Sequence, residues 1–194
     1  MPLEFPVSLN EILELVWKKL EKAATNRHEG WHLASVGTIR DHCPELRTMV
    51  LRGADRNKNA IWFHTDLRSP KLTDISTNPS AAILLYDPKS KWQLRLKGSF
   101  HFDSDSNLTE AAWKKTSPSA KRCYQGPSAP SSVASGPSSN IPDDKVSPDA
   151  GRNHFTRLIF LIHQLEWLAL DSDGHRRASW RLVEGSQEGT WLNP

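Results

Sequence analysis

Trp92-Gln93-Leu94-Arg95-Leu96-Lys97 alternates without a break, with Trp92, Leu94 and Leu96 on one side and Gln93, Arg95 and Lys97 on the other. A period of two marks a strand with one buried face. Outward from this segment, similar stretches recur over residues 31–102. His32 to Gly37 and Arg47 to Arg52 are short runs of partial alternation, separated by a turn that contains Pro44. Asn59 to Thr65 follows the polar stretch Gly53 to Lys58. Ala81 to Tyr86 is a continuous apolar run before Asp87-Pro88, as expected of a strand buried on both faces. Strands this short and closely spaced predict a barrel or sandwich, mainly β with flanking helices, rather than βαβ units.

The flanking helices carry their own signals. Ser8 followed by Glu11 is a capping box, and behind it Ile12, Val16, Leu20 and Ala23 recur at helical spacing, which predicts a one-faced helix over residues 9–26. Ser69 as cap, Pro70 at the first position, and Leu72 and Ile75 as the buried side predict a compact helix that Asn78-Pro79 stops. A third short helix is expected over residues 107–115. Residues 116–151 hold six prolines, with serine and glycine filling most of the rest, and predict a long irregular insertion of the kind used as a lid or arm. Strands resume at Phe155 to Ile162 and Glu166 to Leu170, and close with Arg177 to Glu184 and Thr190 to Leu192.

The bulk numbers exclude several classes. The chain has 194 residues, enough for one self-supporting core. Its net charge is only +3, with both signs mixed along the chain, so no nucleic-acid partner is expected. No apolar run approaches the roughly 20 residues that span a bilayer, so no membrane role is expected either. The N-terminal residues lack a secretory pattern, and two cysteines, Cys43 and Cys123, make no disulfide framework. A cytoplasmic location follows as the expectation. His42-Cys43 has no partner at ligand spacing, so no metal site is expected.

Ser69-Pro70-Lys71 is the most informative local feature. A helix start offers free N–H groups, and a lysine in the first turn, otherwise disfavoured there, calls for an anion nearby. The bland alternative is a solvated lysine beside an ordinary cap. Arg47 and Arg52 bracket an apolar strand and point to opposite faces, so one can meet a ligand while the other meets solvent or a second ligand group. Gln93 offers both a donor and an acceptor to a heterocycle if its face lines a pocket.

In chain order stand Arg47-x-x-x-Leu51-Arg52, Phe63-His64-Thr65-Asp66-x-x-Ser69-x-Lys71, Asn78-Pro79 and Trp92-Gln93-x-Arg95-x-x-Gly98. This ordered set resembles the FMN-binding core of pyridoxamine 5′-phosphate oxidase-like proteins over residues 31–102 and again over 155–181. His175-Arg176-Arg177 resembles the closing His-x-Arg element of that family. The resemblance implies an FMN-binding split β-barrel forming one domain over residues 1–194. It implies FMN as cofactor, its phosphate held by Arg47 and Lys71 with Ser69 in support. Thr48, Met49 and Val50 would lay backbone along the flavin, and His64 and Thr65 would flank it. Gln93 would bond the pyrimidine edge, which Arg177 would approach, commonly from the second subunit; Arg52 joins the cofactor-binding set. A homodimer with FMN at its interface, a small-molecule substrate and His175 as substrate contact are implied in the same way, and no catalytic residue is singled out.

The resemblance is not uniform. Pro70 stands where the typical oxidases tend to carry an arginine, and Leu168 falls near a flavin-packing tryptophan, with Trp167 beside it. The four substrate-phosphate places of the family (Lys, Tyr, Arg and Ser) are held here by Arg52, Trp113, Ser117 and Lys121. Asp173 lies near the place of a substrate-binding arginine and would repel a phosphorylated substrate. These departures point to a branch distinct from the typical oxidases: an FMN-dependent oxidoreductase on another substrate, or a flavin carrier or sensor without turnover. A haem protein with His64 or His175 as ligand is a third reading, against which the Arg47, Lys71 and Gln93 set stands.

Overall fold

The computed structural model describes residues 8–103, 105–142, 146–183 and 186–194. In chain order the elements are α1 (Leu9–Thr25), β1 (Leu33–Arg40), β2 (Cys43–Asp55), β3 (Ala60–Asp66), α2 (Lys71–Thr77), β4 (Ser80–Asp87), β5 (Trp92–Phe102), α3 (Ser106–Lys115), α4 (Pro118–Lys121), β6 (Phe155–Ala169), β7 (Arg176–Val183) and β8 (Ser186–Leu192). The strands form one antiparallel sheet in the order β3-β2-β1-β4-β5-β6-β7-β8, and β3 pairs back onto β6. Six strands therefore close into a barrel, and β7 and β8 extend from it as a wing. β6 serves both parts because it is long: Phe155 to Leu161 pair with β3, and Gln164 to Ala169 with β7. Mainly β with flanking helices, the chain takes the barrel option of the barrel or sandwich that its strand pattern predicts, and the split form that the resemblance implies.

The helix over the barrel begins as its capping pattern requires, with the Glu11 N–H donating to the Ser8 hydroxyl at 3.2 Å. Its buried stripe includes Ile12, Val16, Leu20 and Ala23 and packs on β2 and β8. Trp17, Trp31, Trp167 and Trp180 fill the space beneath with Phe63, Phe100 and Phe160. Each such side chain contributes roughly 1.5–3 kcal/mol on burial. This tight filling leaves the barrel mouth and the outer sheet face as places for a ligand.

Several elements differ from their sequence expectation for identifiable reasons. Pro44 lies inside β2, paired with Ile39, rather than in a turn. β3 joins β2 only from Leu51 onward, so the proline sits where its missing N–H has no neighbouring strand to serve. The turn is instead Asp41-His42, both at positive φ (49° and 64°), the two-residue hairpin form that matches strand twist. Ala81 to Tyr86 is not buried on both faces within the protomer: Ile83 and Leu85 point inward, while Leu84 and Tyr86 face out. The insertion at 116–151 is mostly irregular but contains α4 and a 3-10 turn at Arg122–Tyr124. The last strand starts at Ser186, earlier than Thr190, and Glu184 lies outside the described residues.

Candidate functional site

The middle of β2, the end of β3 and the start of α2 meet at one place on the barrel. There a cavity of about 540 Å³ is lined by Arg47, Thr48, Met49, Val50, Arg52, His64, Thr65, Ser69 and Lys71. Nine of the eleven residues expected to bind the cofactor thus share one cavity, although Arg47 and Arg52 have opposite strand parity. Arg52 is the extra residue of a bulge, since Leu51 pairs with Phe63 and Gly53 with Trp62. A bulge bends the strand and re-aims its side chains.

Lys71 Nζ donates to the Ser69 hydroxyl at 2.6 Å and to the Thr65 hydroxyl at 3.0 Å. Arg47 donates to the Thr38 hydroxyl at 2.6 Å. Neither cation makes an ion pair among the described residues. Burial, and then the Arg47 charge, pull the Lys71 ammonium below its usual range; burial does the same to Arg47. Two partly desolvated cations beside two hydroxyls call for an anion with several acceptor oxygens. Arg40 also lines the cavity, but its charge is taken by the buried Asp74 through two hydrogen bonds of 2.8 Å.

Ser69 does not cap α2 with its hydroxyl as the sequence suggests. Pro70 is the cap residue and makes no side-chain bond, and Leu72 N–H reaches the Ser69 carbonyl at 3.0 Å. Lys71 occupies the Ser69 hydroxyl instead. With seven residues, α2 supplies little dipole, so the anion affinity of this corner comes from side-chain charge.

The opposite wall contains residues that sequence reasoning missed: Tyr124, Pro130 and Ser131 of the insertion. Long-range bonds dock them there. Arg68, paired with Asp66, donates to the Gly126 carbonyl at 2.8 Å, and His154 Nδ1 donates to the Tyr124 carbonyl at 2.8 Å. The Tyr124 ring packs edge-on against Phe155 (5.1 Å) and Trp113 (5.9 Å), and burial pushes its phenol up to about 12. His64 packs on Phe155 at 4.8 Å; burial, with the charges of Arg52 and Arg157, pushes its imidazole down to about 4, so it is neutral near pH 7.

Arg52 and His64 also line a second cavity of about 480 Å³, whose other walls come from Trp62, α3, α4 and Arg157. Gln93 is elsewhere. It lines a third cavity on the outer face of β1, β4, β5 and β6, where Leu46 is the one residue shared with the Arg47 cavity. Arg177 donates to Glu166 at 2.8 Å beside it, and Arg177 Nε is buried without a partner among the described residues. His175 is exposed in the turn before β7, its Nδ1 accepting from the Asp171 N–H at 3.1 Å. Gln93, Arg177 and His175 are therefore not joined to the Arg47 cavity within one protomer. Trp167 does not fill the place of Leu168: it points into the core against Trp92 (5.3 Å), because adjacent strand residues face opposite sides.

Residues 14–103 match the family model for the pyridoxamine 5′-phosphate oxidase FMN-binding domain, the span that supplies all of the Arg47 cavity except the wall from the insertion. Over that span the chain carries the FMN-binding domain of the pyridoxamine 5′-phosphate oxidase-like family. Among curated relatives, it is 27% identical over 189 residues to pyridoxine/pyridoxamine 5′-phosphate oxidase 2 of Arabidopsis thaliana, covering 93% of each chain. It is 31% identical over 91 residues to the oxidase of Acinetobacter baylyi, a match spanning 47% of this chain and 41% of that relative. A pyridoxamine 5′-phosphate oxidase-related FMN-binding protein of Nostoc punctiforme shares the fold (TM-score 0.71, 22% identity, 99% and 100% of the two chains). So does PhzG of Burkholderia lata (TM-score 0.70, 17% identity, 98% and 95%). The cavity fits the family cofactor: the two cations suit the FMN phosphate, and the exposed side of Thr48 to Val50 offers backbone to a flat ring. Among the described residues no helix is long and apolar enough to cross a membrane.

Proposed function

We propose that this family member is an FMN-dependent oxidoreductase acting on a small substrate as a homodimer. The observation that carries the reading is the adjacency of two cavities: one fits FMN, and the other, sharing Arg52 and His64, is sized for a second small molecule. FMN when bound supplies electron transfer, in pairs as hydride or singly. The residues of the chain do the rest. Arg47 and Lys71 hold the phosphate, Tyr124 and Pro130 cover it, and neutral His64 offers a hydrogen bond without adding charge.

The outer face of β2, β1, β4 and β5 supports the dimer. Leu46 (75% exposed), Leu33 (56%), Tyr86 (44%) and Leu84 (39%) project from it around Gln93. An apolar patch of this kind marks an interface. Three strand spacings, roughly 14 Å, separate Gln93 from Thr48. A two-fold partner would bring the Gln93 and Arg177 face of the second copy to the flavin edge and give the unpaired Arg177 Nε a ligand. Exposed, free Cys43 and Cys123 support a reducing compartment such as the cytoplasm.

A second reading, a flavin carrier without turnover, is favoured by the internal use of the old substrate-phosphate positions: Trp113 and Lys121 both bond Asp149. The test is anaerobic. Protein loaded with FMN is mixed with NADH, NADPH or pyridoxamine 5′-phosphate, and the oxidised flavin absorbance is followed. Bleaching by one donor, and reoxidation coupled to a second substrate, are expected. Bound flavin that none of these reduces would overturn the enzyme reading in favour of the carrier.

A further inference from the structure

The second cavity has a chemistry of its own. Its lining is largely apolar, with Leu108, Ala111, Ala112, Ala120 and Trp62. Among the described residues that line it there is no carboxylate. Most of its polar groups are already engaged. Arg157 is held by Asp103 at 2.5 Å and lies over the Trp62 ring at 4.9 Å. The Thr116 hydroxyl donates to the Ala112 carbonyl at 2.8 Å, and the Ser117 hydroxyl accepts from the Ala120 N–H at 3.3 Å. Two exposed cations stay without a partner among the described residues, Arg52 and Lys115.

Two of the four residues at the family's substrate-phosphate places, Trp113 and Lys121, are engaged within the protein. Trp113 is 2% exposed, and its indole N–H donates to Asp149 at 2.7 Å. Lys121 pairs with the same carboxylate at 3.0 Å and sits over the Trp113 ring at 4.6 Å. Asp149 thus satisfies both groups, and the Trp113–Asp149–Lys121 unit pins the insertion to α3. Of the four places, Arg52 alone presents a free charge to the cavity.

We infer that the second cavity takes an organic carboxylate with a flat, apolar body, gripped by Arg52 with Lys115 at the rim, and discriminates against phosphate monoesters. This rests on the reading of the first cavity as the FMN site. A phosphate monoester carries a charge of about −1.5 to −2 and three acceptor oxygens, each needing a donor when desolvated. One guanidinium and one rim ammonium match the two oxygens of a carboxylate in fork geometry, and leave a phosphate under-satisfied. Neutral His64 adds no charge to compensate a dianion.

Isothermal titration of the FMN-loaded protein with 2-naphthoate, 2-naphthamide and 2-naphthyl phosphate tests this. Naphthoate is expected to bind one per FMN, at least about tenfold more tightly than either the amide or the phosphate. Arg52→Gln, with its FMN content checked by absorbance, is expected to weaken naphthoate about tenfold or more and to leave the amide unchanged. Lys115→Gln should weaken it by a smaller factor, as befits a solvated rim charge. Equal binding of the amide, preference for the phosphate, indifference to Arg52→Gln, or no probe binding to a protein that holds FMN would each overturn the inference. Failure to take up FMN at all would instead overturn the reading of the first cavity.

Discussion

Arg47 and Lys71 face one cavity as two cations that each bond only hydroxyls and carbonyls, and the charge of the first lowers the proton affinity of the second. Such a pair costs free energy until an anion arrives, so removing one member has opposite effects in the two states. Arg47→Ala or Lys71→Ala is expected to leave the thermal midpoint of the flavin-free protein unchanged or raised. The same variants should weaken FMN by about 10- to 100-fold each, the range of a lost charge-assisted hydrogen bond. Differential scanning fluorimetry with and without FMN, and flavin fluorescence titration, read the two halves. A fall in the flavin-free midpoint would show that the cations are structural.

His64 makes the stability depend on pH in a defined window. Its folded value is pushed down to about 4 from an ordinary 6.5, chiefly by burial. Between these values the unfolded chain binds the proton and the folded one does not, so stability rises with pH from 4 to 6.5 and is flat outside that window on this account. The expected loss on acidification is at most about 3 kcal/mol. Other groups titrate in the same range, so the measurement is a comparison: urea unfolding of the wild type and of His64→Phe at pH 7 and pH 4. Phenylalanine keeps the edge contact with Phe155 and cannot protonate. The wild type should lose more stability than the variant; equal losses would contradict the buried neutral imidazole.

Much of this molecule was legible in its order of residues, and the illegible parts share a cause. α1 was readable because a capping box and a helical stripe are local signals, and β5 because Trp92 to Lys97 alternates without interruption. Arg47, His64, Ser69 and Lys71 meet in one cavity because sequential antiparallel strands and the helix after them are neighbours in space. Pro44 misled because proline usually signals a turn, whereas a stretch of β2 paired on one side only tolerates it. Tyr124 and Pro130 gave no signal, since their docking depends on Arg68 and His154, partners about thirty to sixty residues away. The separation of Gln93 from Thr48 depends on strand order, which local pattern does not encode.

Gly98 sits at a close approach of β5 to β6. It follows a register shift between Lys97 and Gly98, and a Cβ there would lie 1.9 Å from the Leu161 carbonyl oxygen and 3.0 Å from the Phe160 ring. Backbone cannot move aside as a flexible side chain does. Gly98→Ala is therefore expected to cost at least about 2 kcal/mol and to loosen β5 from β6. Amide hydrogen exchange should show the loss of protection first at Ser99 and Leu161. A variant as stable as the wild type would mean that the bulge absorbs a methyl group.

Leu46 offers the cleanest separation of fold from assembly. It is 75% exposed in the protomer, lies on the rim of both the Arg47 and the Gln93 cavities, and faces Gly37 across the β1–β2 ladder. Leu46→Asp should change protomer stability by no more than about 0.5 kcal/mol, as for a surface site. In a dimer that buries this face, the new carboxylate would lie desolvated near its two-fold copy and cost several kcal/mol. Sedimentation velocity is therefore expected to show a dimer for the wild type and a monomer for the variant, with circular dichroism unchanged. In the proposed dimer, where Gln93 and Arg177 reach the ring from a second copy, flavin should be lost together with the dimer. A dimeric variant that keeps its FMN would exclude this face as the interface; a monomeric one that keeps full affinity would show that one protomer completes the site.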